Sequence, residues 1–198
     1  VREIEIKVKL VHLDEARQKL IDAGVILSQP KKQHDVVYCL PENLQSVGGD
    51  TSVNWLRVRT ENDKAVYFTL KRSVSGSLDS IEHETIVENG EELVKILDYM
   101  GYVVFSDLTK TRQSGHYGES IEVCLDEVPP LGGFIELEKL CPDDADGPAV
   151  EKELFEALNE LGIEYTERMT KGYDELVNEY REMNEQSQAK EADYELAN

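Results

Sequence analysis

The stretch REIEIKVKL, residues 2–10, decides how the rest of the chain is read. Ile4, Ile6, Val8 and Leu10 alternate with Glu3, Glu5, Lys7 and Lys9. Successive side chains of a strand point to opposite faces. One face is therefore aliphatic, and the other carries two acids followed by two bases. Both signs so close together on one strand face need a reason beyond solubility.

The pattern recurs along the chain. Period-two alternation and turn residues predict eight strands, at 2–10, 34–40, 54–61, 65–72, 80–88, 103–113, 119–127 and 133–140. Arg57 and Arg59 share a face of the third strand, and Lys71 lies with Tyr67 and Thr69 on the fourth, with Arg72 pointing outward. Glu82, Glu84 and Glu88 share a face of the fifth, and Lys110 and Arg112 one of the sixth. Glu122 and Asp126 lie together on the seventh, Glu136 and Glu138 on the eighth. Any one of these faces reads as the wet side of an antiparallel sheet. Single-sign blocks on successive strands are harder to explain by solvation, which would mix Ser, Thr, Gln and both charges.

Four amphipathic helices are predicted, at 14–23, 91–100, 148–161 and 172–184. Asp14 is a candidate N-cap and Pro148 a first helical residue. Asn62-Asp63, Tyr117-Gly118 and Pro129–Gly133 read as turns. Loop 41–53 is long and glycine-bearing, suited to a lid or to a plain connection. Residues 185–198 are polar and read as a frayed or disordered tail.

At 198 residues and 40% hydrophobic, the chain suits one domain with a proper core. A net charge of -20 argues against nucleic acid or an anionic membrane as partner. Cys39, Cys124 and Cys141 are widely spaced and odd in number, which fits neither a disulfide framework nor a zinc site. A reducing cytoplasm is the expected compartment. No apolar run approaches the roughly 20 residues of a membrane span, and no signal-peptide core is seen.

Helices packed on the aliphatic face would leave the charges on the other side. A curved or closed sheet turns that side into a basin or tunnel. Buried charges are costly unless paired or ligated. A wet lumen lined by both signs suits a ligand with both needs: an anion for the bases, and a hard cation for the carboxylates. A polyphosphate with Mg2+ or Mn2+ has both properties.

Glu3-x-Glu5-x-Lys7 resembles the opening signature of the CYTH family, the triphosphate tunnel metalloenzymes. The ordered series LRVR (Arg57, Arg59), TLKR (Lys71), EHE (Glu82, Glu84), KTR (Lys110, Arg112), CLDEV (Asp126), GGFIELE (Glu136, Glu138) and TKGYDEL (Lys171) extends the likeness to about residue 180. QHDVVYC and LDEVPPLGGFIELE are most similar to class IV adenylyl cyclases and their relatives. The resemblance implies an α+β fold: an eight-stranded antiparallel closed barrel over 1–184, charged face inward, helices outside. It implies that Lys7, Lys9, Arg57, Arg59, Lys71, Lys110, Arg112 and Lys171 grip a triphosphate. Glu3, Glu5, Glu136 and Glu138 would position Mg2+ or Mn2+, with Asp126 and Glu122 on the metal side and Glu82 and Glu84 as further tunnel acids. Lys7, Lys71, Arg112 and Asp126 would carry the chemistry. The implied reaction is ATP to cyclic AMP and pyrophosphate. The alternatives are inorganic or thiamine triphosphate hydrolysis and non-catalytic binding of a polyphosphate or nucleotide. A homodimer is also an expectation of the resemblance.

Overall fold

Alternation along the strands dictates a sheet with two unlike faces, and a computed structural model shows how that sheet closes. It describes residues 2–46 and 48–196, with side chains as far as 188. The strands are β1 (Arg2–Leu10), β2 (Lys31–Cys39), β3 (Trp55–Glu61), β4 (Ala65–Gly76), β5 (Asp79–Val87), β6 (Val103–Tyr117), β7 (Ile121–Val128), β8 (Gly132–Cys141) and β9 (Tyr165–Met169). The helices are α1 (Leu13–Asp22), α2 (Gly90–Tyr99), α3 (Gly147–Glu160) and α4 (Tyr173–Leu196), with a single 3-10 turn at Pro41–Asn43.

The first eight strands form a closed antiparallel barrel in the order β5-β4-β3-β2-β6-β7-β8-β1, and β1 pairs back onto β5. That closing seam is short: Arg2 faces Ile81, Glu3 faces Ser80 and Ile4 faces Asp79. Further along β1, the same edge is taken by β9, from Lys7 opposite Met169 to Leu10 opposite Tyr165. Asn62 and Asp63 adopt φ of 51° and 56°, the doubly left-handed turn that matches hairpin twist.

The main core lies outside the barrel wall. Ile4, Ile6, Val8 and Leu10 of β1 pack with Val123 and Leu125 of β7, Ile135 and Leu137 of β8, Leu20 of α1 and Leu154 and Leu158 of α3. Each such aliphatic side chain contributes about 1.5–3 kcal/mol on burial, an upper estimate against an extended unfolded chain. Leu93 and Leu97 of α2 cover Leu56, Val58, Val66 and Phe68 in the same way. Asn89 and Asp146 cap α2 and α3 by accepting from the amides of Glu92 and Ala149 at 3.1 and 3.2 Å. His12, not Asp14, occupies the N-cap position of α1; Asp14 sits in the first turn, where a negative charge suits the helix dipole.

Three features differ from the sequence expectation. Strand β9 has no period-two burial, because it only extends one edge of β1 and exposes Thr166, Glu167 and Arg168. Helix α4 continues past 184 to Leu196, through a stretch without glycine or proline. The inward face is also not charged throughout. Val37, Cys39 and Trp55 pack with Val53 and Phe105. Leu108, Val128 and Phe134 meet Tyr173 and Val177 of α4. One end of the interior is therefore apolar and covered by the start of α4, whereas α1, α2 and α3 lie on the outer face.

Candidate functional site

Because inward residues alternate with the outward aliphatics, the charged rows converge on one cavity of about 550 Å3. Lining it are Glu3, Glu5 and Lys7 of β1, Arg57 and Arg59 of β3, Lys71 of β4, Glu82 and Glu84 of β5, Lys110 and Arg112 of β6, Glu122 of β7, and Glu136 and Glu138 of β8. Three expected residues sit elsewhere. Lys9 lies opposite Phe134 on β8, towards the apolar end. Lys171 turns its ammonium to Glu179, although its carbonyl accepts from Lys7 Nζ at 3.4 Å. Asp126 points to the interior but is fully buried behind Lys110 and Arg112, which hold its oxygens and screen it from the cavity surface.

The acids fall into two groups by their surroundings. In the first, a cation already answers each carboxylate. Arg59 forks onto Asp35 with Nε–Oδ1 2.7 Å and Nη2–Oδ2 2.8 Å. Lys7 Nζ lies 3.0 Å from Glu136, which Arg112 also contacts. Arg112 Nε reaches Asp126 at 2.8 Å, and Lys71 Nζ reaches Glu82 at 3.0 Å. Burial pushes these carboxyls up, but the adjacent cations outweigh it. Asp35, Asp126 and Glu136 are held below the ordinary carboxylate range, and Glu82 is drawn down to about 2. These acids fix the direction of the guanidinium and ammonium groups.

The second group is Glu3, Glu5 and Glu138. One carboxylate oxygen from each lies within 4.8 Å of those of the other two. Burial and then the neighbouring carboxylate Glu82 push Glu3 up to about 7. Burial raises Glu5 and Glu138 as well, and for Glu138 neighbouring acids, led by Glu136, add to it against the pull of Arg112. Lys7 Nζ stands 3.7 Å from Glu5 and Arg112 Nη1 3.4 Å from Glu138, but both cations lie closer to Glu136, so the three crowded carboxylates share charge already engaged and form an oxygen donor set suited to a hard divalent cation. The residues present therefore fit Mg2+ or Mn2+.

On the cationic side, burial lowers Lys110, and the Arg112 charge adds to that effect. For Lys7 and Lys71, burial works in the same direction but nearby glutamates reverse it, so both remain charged. The Tyr173 ring lies 4.2 Å from Lys7 Nζ and 4.7 Å from Lys110 Nζ, a cation–π floor between the two.

Several cavity residues escaped the sequence reading. Gln33 and Asp35 alternate with His34 and Val36 and carried the same period-two signal as their neighbours. Asp174 and Glu175 also reach the cavity, from the first turn of α4, and strand periodicity gives no sign of them. Loop 41–53 is fastened by Ser73 Oγ to Gly48 O at 2.6 Å and by Arg72 Nε to Thr51 O at 3.1 Å. Gly48 sits so close to the Glu175 carboxylate that a Cβ there would clash at 2.3 Å.

Comparison with known proteins follows this geometry. The CYTH domain profile matches residues 1–173. A Methanocaldococcus jannaschii protein provisionally named an adenylate cyclase, MJ0240, is 28% identical over 176 residues, covering 88% of this chain and 97% of its own. The solved structure of PH1819 from Pyrococcus horikoshii OT3 superposes with a TM-score of 0.73 at 25% identity, covering 90% of this chain and 99% of that one. HpAC1 from Hippeastrum, provisionally named an adenylyl cyclase and described as having a dominant triphosphatase activity, superposes with a TM-score of 0.56 at 20% identity, covering 83% and 90%.

Proposed function

From the premise that this chain belongs to the CYTH family, we propose that it is a divalent-cation-dependent enzyme acting on a triphosphate held inside the barrel. The first reading of its reaction is ATP to cyclic AMP and pyrophosphate. The observation that carries the proposal is the contrast among seven interior acids: four are each held by a close cation, and three crowd together with only the more distant, shared charges of Lys7 and Arg112 near them.

The bases divide the work by shape. Arg57 and Arg59 present guanidinium edges to phosphate oxygens, Arg112 adds its charge from among Asp126, Glu136 and Glu138, and Lys7, Lys71 and Lys110 act as point charges. Arg59 and Arg112 are already oriented by Asp35 and Asp126, so ligand binding orders little that is loose. Glu3, Glu5 and Glu138 would hold Mg2+ or Mn2+. A bound divalent cation supplies a lowered hydroxyl pKa at the ribose 3′ position and charge compensation on the leaving pyrophosphate. The basic side chains carry the remainder, through positioning and through electrostatic stabilisation of the oxygens that gain charge.

Hydrolysis is the second reading. The triphosphatase activity described for the Hippeastrum protein favours keeping it, and the cationic groups above would serve the triphosphate in either reaction. Incubation with Mg2+ or Mn2+ and ATP, and separately with tripolyphosphate, distinguishes the two by product. Cyclic AMP with pyrophosphate is the expected outcome. Orthophosphate from tripolyphosphate, without cyclic AMP from ATP, selects the hydrolase. Tight binding with no turnover of ATP, tripolyphosphate or thiamine triphosphate, with either metal, overturns the enzymatic proposal.

A further inference from the structure

The seam between β1 and β5 carries a burden that the rest of the barrel does not. It is the short closing contact, supplemented by Glu5 N donating to Leu78 O at 3.0 Å. On its inner side, β1 brings Glu3 and Glu5, β5 brings Glu82, and β8 brings Glu138. Like charges on adjacent strands push those strands apart. Three residue pairings are a thin bond against that repulsion.

On the outer side of the same seam lies a buried cluster that the lumen chemistry does not use. Arg2 is 6% exposed and Asp79 7%. Arg2 Nε donates to Asp79 Oδ1 at 2.8 Å and Nη2 to Oδ2 at 2.9 Å. Its Nη1 donates to Ala145 O at 2.7 Å and to Asp143 O at 3.1 Å. Ser75 Oγ donates to Asp79 Oδ2 at 2.5 Å. The chain passes so close that a Cβ on Gly147 would stand 3.1 Å from Arg2 Nη2. One guanidinium thus ties β1 to β5 and to the segment leaving β8, the three strands that carry Glu3, Glu5, Glu82 and Glu138.

We propose that Arg2, acting through Asp79, is a positioning residue that sets the spacing of Glu3, Glu5 and Glu138 for a divalent cation. This rests on the reading of those three acids as the cation site. A lysine could not replace it: a single ammonium cannot meet both oxygens of a carboxylate and two carbonyls in separate directions.

The test uses Mn2+ alone, titrated calorimetrically into the full chain, so that turnover plays no part. Arg2→Lys and Asp79→Asn are expected to weaken Mn2+ binding roughly 10-fold, the low end of what losing a group bonded directly to a metal ligand costs, because this pair acts through the strands. Ser75→Ala removes a single hydrogen bond and is expected to fold and to weaken binding a few-fold. Leu97→Ala, on the inner face of α2 against another part of the wall, serves as the control: it should lower Tm and leave the Mn2+ Kd within about twofold. A wild-type chain that binds Mn2+, with every folded seam variant binding it equally well, overturns the positioning role alone. A wild-type chain that binds no Mn2+ overturns both this role and the cation site itself.

Discussion

Each lumen carboxylate is defined by its nearest cation. Asp35 and Glu3 both lie in the lumen wall, yet Arg59 holds one ionised while burial and Glu82 keep the other protonated to about pH 7. The sign of the consequence follows from proton linkage. Between the ordinary value of 4.5 and about 7, the native chain holds a proton on Glu3 that the unfolded chain has lost. Stability without metal should therefore fall as pH rises through that window. Glu3→Gln is expected to raise unfolding free energy at pH 8 by at most about 3 kcal/mol and to change it little at pH 4. Urea unfolding with chelator at both pH values checks this, and a destabilised variant at pH 8 would contradict it. Periodicity shows that Glu3 faces inward with its fellow acids. It does not show which acids meet a base, because pairing across the lumen depends on strand order. That is why Asp35, visible in the alternation of residues 33–37, gained its role only once Arg59 lay beside it.

At the scale of the element, the legible parts are those whose packing is one-sided. Strands β1, β3 and β7 and helices α1, α2 and α3 each give one face to an aliphatic row in the outer core, and the sequence shows where they are. Strand β9 buries neither face well, and α4 seals a barrel end rather than covering a sheet, so neither follows the same rule. The separation of outer core from inner lumen makes its own prediction. Leu97, on the inner face of α2, is 2% exposed, and Leu97→Ala should cost about 2–5 kcal/mol. Because Leu97 touches only the outer wall, KM for the triphosphate should stay within about twofold while Tm falls. Thermal melts alongside steady-state kinetics separate the two effects; a large rise in KM at unchanged Tm would contradict the layering.

The whole molecule sets a strongly negative chain, at -20, around a lumen that gathers its bases on inward strand faces. No described helix is long and apolar enough to cross a membrane. The one-sided charge of seven strands was legible in the alternation, whereas closure into a barrel was legible only through the family resemblance; the apolar end was not, because it needs α4 to fold back over the opening. Enclosure of a triphosphate and its cation by these converging rows is the central claim. Arg57 tests it well: its Nη2 lies 3.2 Å from Thr69 Oγ1 and 3.4 Å from Glu84, at the cavity wall. The most direct measurement is calorimetric binding of a non-reactive ATP analogue and of AMP, each with Mn2+, to the wild-type chain and to Arg57→Ala. The account predicts that the variant loses affinity for the triphosphate analogue about 10-fold or more, and for AMP less than about twofold. Equal losses for both ligands, or analogue binding indifferent to Mn2+, would contradict it.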